Sequence, residues 1–297
     1  MKRFPVFLAL ALSGGALSAA PITLNDQGRP MLVYHTEHVP SPKADEPWYG
    51  RSGFIHPVYT PAGRVVTSGF PADHPHQHGV MFAWTSAEVD GHRVDFWNSR
   101  KQQGHIEHAE LLSSSPDRIH VRLRHVDDTA RPPVTVIHET WTLTRVPHPS
   151  MHVFDLVSTQ TCATAQPVRQ LKYHYGGLCI RGPEAWLERR ADMETSEGRT
   201  RADGNHTRPD WVVLSGPMDG AHCGLVAMGH PSNFRAPQPV RLHPDKPYFC
   251  FAPMVTGDFA LRPDQPYVSR FRFAAFDGKP DHEALTALWR DFSDDGR

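Results

Sequence analysis

The chain has 297 residues, enough for one large domain or two ordinary ones, with 31 Lys plus Arg set against 32 Asp plus Glu. That balance excludes the one-signed field by which nucleic-acid and anionic-membrane binders steer their partners. The 20 histidines, 28 prolines and 22 glycines favour titratable or metal-ligating groups set among many short strands and turns.

Residues 1–20 read as a signal peptide. Lys2 and Arg3 form a positive start, Phe4 to Leu12 a short apolar run, and Ala16-Leu17-Ser18-Ala19-Ala20 a small-residue cleavage region. The expected mature protein is therefore periplasmic or secreted, and no later apolar segment is long enough to span a bilayer. From residue 21 to 297 we expect a single domain, because no repeat, low-complexity block or linker divides it.

Asp90-Gly91 is a two-residue hairpin signal, predicting that Val80 to Val89 turns back to pair with His92 to Trp97. Arg118 to Val126 alternates Ile119, Val121 and Leu123 with Arg118, His120, Arg122 and Arg124, the pattern of a half-buried strand. Val134 to Arg145 is a second strand with Ile137, Glu139, Trp141 and Leu143 on one side. Met151 to Thr159, Trp211 to Leu214, Leu225 to Met228 and Tyr267 to Phe276 follow. One helix is expected at the end, with Asp281 as its N-cap and Leu285, Leu288, Trp289 and Phe292 as its apolar stripe. Strands without intervening helices predict an all-β fold, a large antiparallel β-sandwich closed by that helix. Cys162, Cys179, Cys223 and Cys250 permit three disulfide pairings, among which the sequence does not choose.

The stretch Pro71 to Trp84, PADHPHQHGVMFAW, concentrates the chemistry. If it is extended, His74, His76 and His78 share a face. Two imidazoles there can reach one divalent metal, which needs a third ligand, or one sugar ring; a polar strand face is the third option. His56 and Tyr59 lie upstream and Asp95 and Trp97 downstream, and aromatic faces beside polar groups suit a sugar. Glu139, on an apolar strand face, is expected to have the raised pKa of a general acid. His174 and Arg181 flank Gly176-Gly177, where backbone can approach a ligand. Glu197, in a loop, and His230 and Asn233, in a turn, add further polar groups.

FIHPVYTPAG, DHPHQHG, VDFW with GHI, YGGLCIRG, TSEG, DWVVLSG and GHPSNFRAP occur in an order that resembles the family labelled "methane oxygenase PmoA". Many members read HHRG where this chain reads HQHG, so Gln77 stands for a histidine and His78 for an arginine. Methane oxidation is excluded, because a membrane oxygenase subunit must cross the bilayer several times. The resemblance implies a galactose mutarotase-like supersandwich that binds sugar on a concave sheet and uses a His and a Glu as acid and base.

These readings combine into an exported carbohydrate-active protein that epimerises, eliminates or hydrolyses a small-molecule or oligosaccharide substrate. His74, His76 and Glu139 are the candidate catalytic groups. His56, Tyr59, Asp95, Trp97, His174, Arg181, Glu197, His230 and Asn233 are the candidate binding groups. The alternatives are a non-catalytic carbohydrate-binding module and an oxidative protein with a divalent metal on His74, His76 and His78. Geometry separates them: three converging His nitrogens mark a metal, a His–Glu pair across a groove marks acid/base work, and neither marks binding.

Overall fold

A computed structural model describes residues 20–294. All but the last residue of the expected signal peptide lies outside the described residues. In chain order the first strands are β1 (Ile22–Asp26), β2 (Arg29–His35), β3 (Phe54–Val58), β4 (Val80–Ala83), β5 (Ala87–Val89), β6 (His92–Val94) and β7 (Gly104–Ser115). Then come β8 (Arg118–Asp127), β9 (Val134–Val146), β10 (His152–Cys162), β11 (Val168–Gln170), β12 (Gly177–Arg181) and β13 (Asp192–Thr195). The last are β14 (Trp211–Met218), β15 (Ala221–Gly229), β16 (Val240–Leu242), β17 (Tyr248–Phe251), β18 (Phe259–Leu261) and β19 (Tyr267–Asp277), before the helix α1 (His282–Asp294). This is the expected all-β architecture with a C-terminal helix.

Three antiparallel sheets result. Seven strands run β1-β2-β3-β4-β12-β17-β16, eight run β13-β14-β15-β19-β10-β9-β8-β7, and four run β18-β11-β5-β6. The strands predicted from alternation all form, because their apolar sides are buried: Ile119, Val121 and Leu123 are enclosed while Arg118 and Arg124 are exposed. The Asp90-Gly91 turn also forms, with φ of 46° and 82°, and Val89 opposite His92. The long strand expected before it is broken instead. Val80–Ala83 pairs with β12 in the large sheet, whereas Ala87–Val89 joins the small one.

The core lies between the two large sheets. Phe251 of β17 meets Phe271 of β19 at 5.2 Å between ring centroids, and Tyr34 of β2 meets Trp141 of β9 at 6.1 Å. On the other side of the eight-stranded sheet, α1 covers Trp211, Val213, Val226, Met228 and Phe276 with Leu285, Leu288 and Phe292. Asp281 Oδ1 accepts the backbone N–H groups of Glu283 and Ala284, as an N-cap should. The four cysteines are free thiols, and Cys179 stands opposite Cys250 across β12 and β17.

Strand register decides which residues reach the outer face of the seven-stranded sheet. Ile180 is paired with Phe249 and Val80, and all three point into the core. Side chains alternate along a strand, so Arg181 with Tyr248, and Cys179 with Cys250 and Arg241, project from the opposite face. The DHPHQHG segment folds down on that face.

Candidate functional site on the outer face of the seven-stranded sheet

DHPHQHG is a pair of tight turns rather than a strand. His74 N–H donates to Pro71 O at 3.1 Å and Gln77 N–H to His74 O at 2.9 Å. The three histidines therefore do not share a face. His74 and His76 stay half-exposed, with ring centroids 5.5 Å apart, while His78 is buried between Phe54 and Phe70. The expected metal triad of His74, His76 and His78 is not assembled. Among the described residues no group of three His, Cys, Asp or Glu side chains is placed to hold a metal.

What is assembled is an aspartate–histidine pair. Asp73 Oδ2 lies 2.9 Å from His74 Nδ1, so the ring offers its Nε2 outward as a base. Arg181 fixes the aspartate from beneath, donating to Asp73 Oδ1 at 2.6 Å and Oδ2 at 3.2 Å, and to Gln77 Oε1 at 3.0 Å. Burial alone would raise the Asp73 pKa, but the hydrogen bonds from His74 and Arg181 and the Arg181 charge hold it far below the carboxylate range. Arg181 is fully enclosed. The expectation that it clamps a ligand is corrected: its fork is spent on the turn.

A third imidazole comes from the β16–β17 loop. His243 stands 5.9 Å from His74 between centroids and 5.0 Å from the ring of Tyr248. Tyr49 lies 6.4 Å from His76. Trp97 is buried beneath Tyr175 (5.3 Å) and Tyr248 (6.4 Å), so it supports the face rather than offering a platform. Tyr175 itself is half-exposed and packs on exposed His174 at 4.7 Å. Its hydroxyl donates to Asn98 Oδ1 at 3.2 Å and accepts from Asn98 Nδ2 at 3.0 Å.

Asp95 is closed to ligands for a similar reason. It accepts from the backbone N–H groups of Trp97 and Asn98, from Asn98 Nδ2 and from Lys101 Nζ, and so shapes the loop that carries Trp97. Gly176 and Gly177 serve close packing inside the protein. A Cβ on Gly176 would meet Met254 Sδ at 2.3 Å, and one on Gly177 would meet Phe251 O at 2.3 Å.

The family profile described as "Family of unknown function (DUF6807)" matches residues 21–290. The chain belongs to DUF6807. No curated protein matches it in sequence. Among solved structures, this DUF6807 chain is similar to a protein assigned as an aldose 1-epimerase from Escherichia coli K12, at 12% identity and TM-score 0.43, over 75% of this chain and 92% of that one. A galactose mutarotase related enzyme from Lactobacillus acidophilus follows at 9% identity and TM-score 0.44, over 88% and 100%. Heparan sulfate lyase HepC from Pedobacter heparinus matches at 10% identity and TM-score 0.37, over 84% of this chain and 33% of that one. At such scores the likeness is one of arrangement, and no chemistry is carried over from it.

The remaining expected residues of the DUF6807 chain fall elsewhere. Glu139 is sealed in the core between the two large sheets, so the sheet itself separates it from the His74 face. Burial raises its pKa, as expected, but hydrogen bonds from His125, Ser158 and Trp141 and the His125 charge outweigh that and lower it. The expected His–Glu pair across a groove is not formed. Tyr59 lies at the far end of β3, its carbonyl accepting from His152 Nδ1. Glu197 is exposed on the loop after β13, 3.6 Å from Arg199. His230 and Asn233 line a separate cavity of about 250 Å³ with Asp210 and Trp289. There Asn233 extends the ladder just past the end of β15, accepting from Arg270 N–H and donating to Arg270 O within β19. A larger groove of about 900 Å³ runs between β13 and the start of α1, where His282 pairs with Glu194 at 3.1 Å. Its ionisable groups are exposed or half-exposed, and Arg201, the best held of them, spends its donors on the carbonyls of Ala191, His243 and Lys246.

His56 flanks the site on β3, its Nδ1 3.0 Å from Thr67 Oγ1. Burial, with help from neighbouring His or Arg charges, pushes His56, His76 and His243 down to about 4 from an ordinary 6.5. All three are therefore neutral at neutral pH. The folded protein then resists protonation that the unfolded chain accepts, so these groups contribute stability above pH 6.5 that is lost as the pH falls towards 4. His105, raised by Glu107 and Asp128, acts with the opposite sign. The expected result is a urea midpoint that falls steadily across that window. His35, His78, His108, His120, His138, His148 and His174 are lowered too and act with the same sign, so a flat midpoint would mean that these imidazoles as a set are as readily protonated in the fold as out of it.

Proposed function

We propose that this protein is an exported carbohydrate-active enzyme that moves a proton at, or next to, the anomeric or carbonyl carbon of a sugar. His74 acts as the base, and the imidazolium so formed, held by Asp73, gives the proton back to the product, while neutral His76 and His243 line the site as hydrogen-bonding groups. The observation that carries this reading is the Asp73–His74 pair, with Asp73 locked by buried Arg181. A half-exposed histidine whose Nδ1 is held by a carboxylate has one tautomer and one working nitrogen, as general-base catalysis needs. Half-exposed Tyr175 and exposed His174 beside it offer ring faces on which sugar C–H groups can stack.

The test is an NMR screen of the mature protein with neutral and acidic mono- and disaccharides in heavy water. Anomer interconversion faster than the buffer rate, deuterium entering a C–H position, a new alkene resonance or cleavage would each identify the reaction. Binding without any of these supports the carbohydrate-binding module instead. Absence of both binding and turnover across the panel would remove the sugar reading.

A further inference from the structure

We propose that the ligand of the His74–His76–His243 face carries an anionic oxygen group, and that Arg241 receives it. The inference rests on the carbohydrate reading above and names the class of sugar: a uronate, or a sulfate or phosphate ester.

Arg241 is the middle residue of β16, the edge strand of the seven-stranded sheet. Its neighbours Val240 and Leu242 are buried in the core, so alternation sends Arg241 to the outer face, in the row of Cys250 and one step from Tyr248. His243 lies two residues further along, on the same face by alternation, its N–H donating to Tyr248 O and its ring 5.0 Å from the Tyr248 ring, which places Arg241 on the side of the sheet that carries the candidate site.

The partners of Arg241 do not account for its charge. Arg181 and Arg272, the enclosed arginines of the two sheets, each hold a carboxylate through two nitrogens. Arg201 and Arg235 each spread their donors over three backbone carbonyls. Arg241 makes one hydrogen bond, to Asn205 Oδ1 at 3.2 Å, and its Nε, like those of Arg181 and Arg201, is buried with no partner, so the difference lies in its terminal nitrogens. Among the described residues no Asp or Glu stands within ion-pair distance of it.

The charges around it do not compensate either. Asp73 is shared between Arg181 at 2.6 Å and Lys246 at 3.8 Å. Asp95 is taken by Lys101 and Asp245 by Arg189. Arg181, Lys246 and Arg241 thus face one carboxylate, leaving a positive surplus next to neutral imidazoles. A half-buried guanidinium in that position gains most from a planar or tetrahedral oxyanion that accepts two parallel hydrogen bonds. A neutral sugar would leave it uncompensated.

Isothermal titration of the full chain with D-glucuronate, D-galacturonate, glucose 6-phosphate, glucose 6-sulfate, glucose and galactose tests this. At least one charged sugar should bind roughly ten- to a hundredfold more tightly than its neutral parent, the range of a charge-assisted hydrogen-bond pair. That preference should shrink as salt is added to the wild-type protein, and which charged sugar wins identifies the anionic group. Arg241→Gln should abolish the preference while neutral-sugar affinity and the thermal midpoint hold. Arg241→Lys, which keeps the charge but loses the planar fork, keeps the test decisive should the glutamine variant fold poorly: the preference should fall without vanishing. Equal affinity for charged and neutral sugars, or a preference that survives Arg241→Gln, overturns the assignment while leaving the carbohydrate reading intact. Binding of no sugar at all overturns both.

Discussion

His74→Gln is expected to reduce turnover of the sugar substrate by roughly 10²–10⁴-fold, the usual worth of a positioned general base. Stability should change little. The side chain is 30% exposed, and glutamine can still place an amide N–H on Asp73. Its fixed amide cannot take up and release a proton, however, so the loss should fall on turnover rather than on binding. Asp73→Asn should act in the same direction by a different route, because the ring then loses the carboxylate that selects its tautomer. Neutral asparagine also leaves Arg181 buried without its counter-charge, so this second variant should lose stability as well. The two variants together separate a catalytic histidine from a merely structural turn. If His74→Gln turns over like the wild type, the proton is moved by another group and His76 becomes the first alternative, since His243 Nδ1 already accepts from the N–H groups of Asp245 and Lys246.

The strands were legible because each half-buried strand carries a period of two that only one face of a sheet satisfies. The C-terminal helix was legible from Asp281 and its stripe of leucines and aromatics. What failed was local: DHPHQHG alternates like a strand but folds as two turns, since Pro75 lacks an N–H and His74 and Gln77 close on carbonyls three residues back. The site failed in part for a longer-range reason. His243, Tyr248 and Arg241 reach His74 only through the β16–β17 hairpin and its register against β12, which no local pattern encodes. The His-Pro dipeptide shared by His74-Pro75 and His243-Pro244 is no guide either, since it also occurs at His56-Pro57, His148-Pro149 and His230-Pro231. Arg181 and Asp95 were singled out because charged residues attract functional readings. Their partners, 108 positions away for Asp73 and six for Lys101, turned both into struts.

Glu139→Ala is expected to cost about 3–5 kcal/mol, as removal of one partner from a buried ion pair does. Four side-chain donors converge on the carboxylate: His125 Nε2 at 2.7 Å, Trp141 Nε1 at 2.7 Å, Ser158 Oγ at 2.5 Å and Gln160 Nε2 at 3.1 Å. Gln160 passes the network on, accepting from Trp84 Nε1 of the opposing layer at 2.8 Å. The charge of Arg51, enclosed nearby and depressed to about 10 by burial, is partly upheld by Glu139. Alanine would leave these donors facing an empty volume and Arg51 without a counter-charge. Because the folded pKa of Glu139 is lowered, this contribution is full above the ordinary carboxylate pKa and disappears as pH falls through the folded value. Wild type and variant should therefore converge in stability in acid. Glu139→Gln should lose less at neutral pH, since its amide oxygen still accepts from Ser158 and Trp141. Urea unfolding of both variants at neutral and acid pH is the measurement. A loss under about 1 kcal/mol for alanine, within the range of ordinary surface changes, would show that the buried network is not a stabilising element. Turnover retained per folded molecule in Glu139→Gln would place this carboxylate in the core's architecture and the chemistry on the far side of the sheet, at His74.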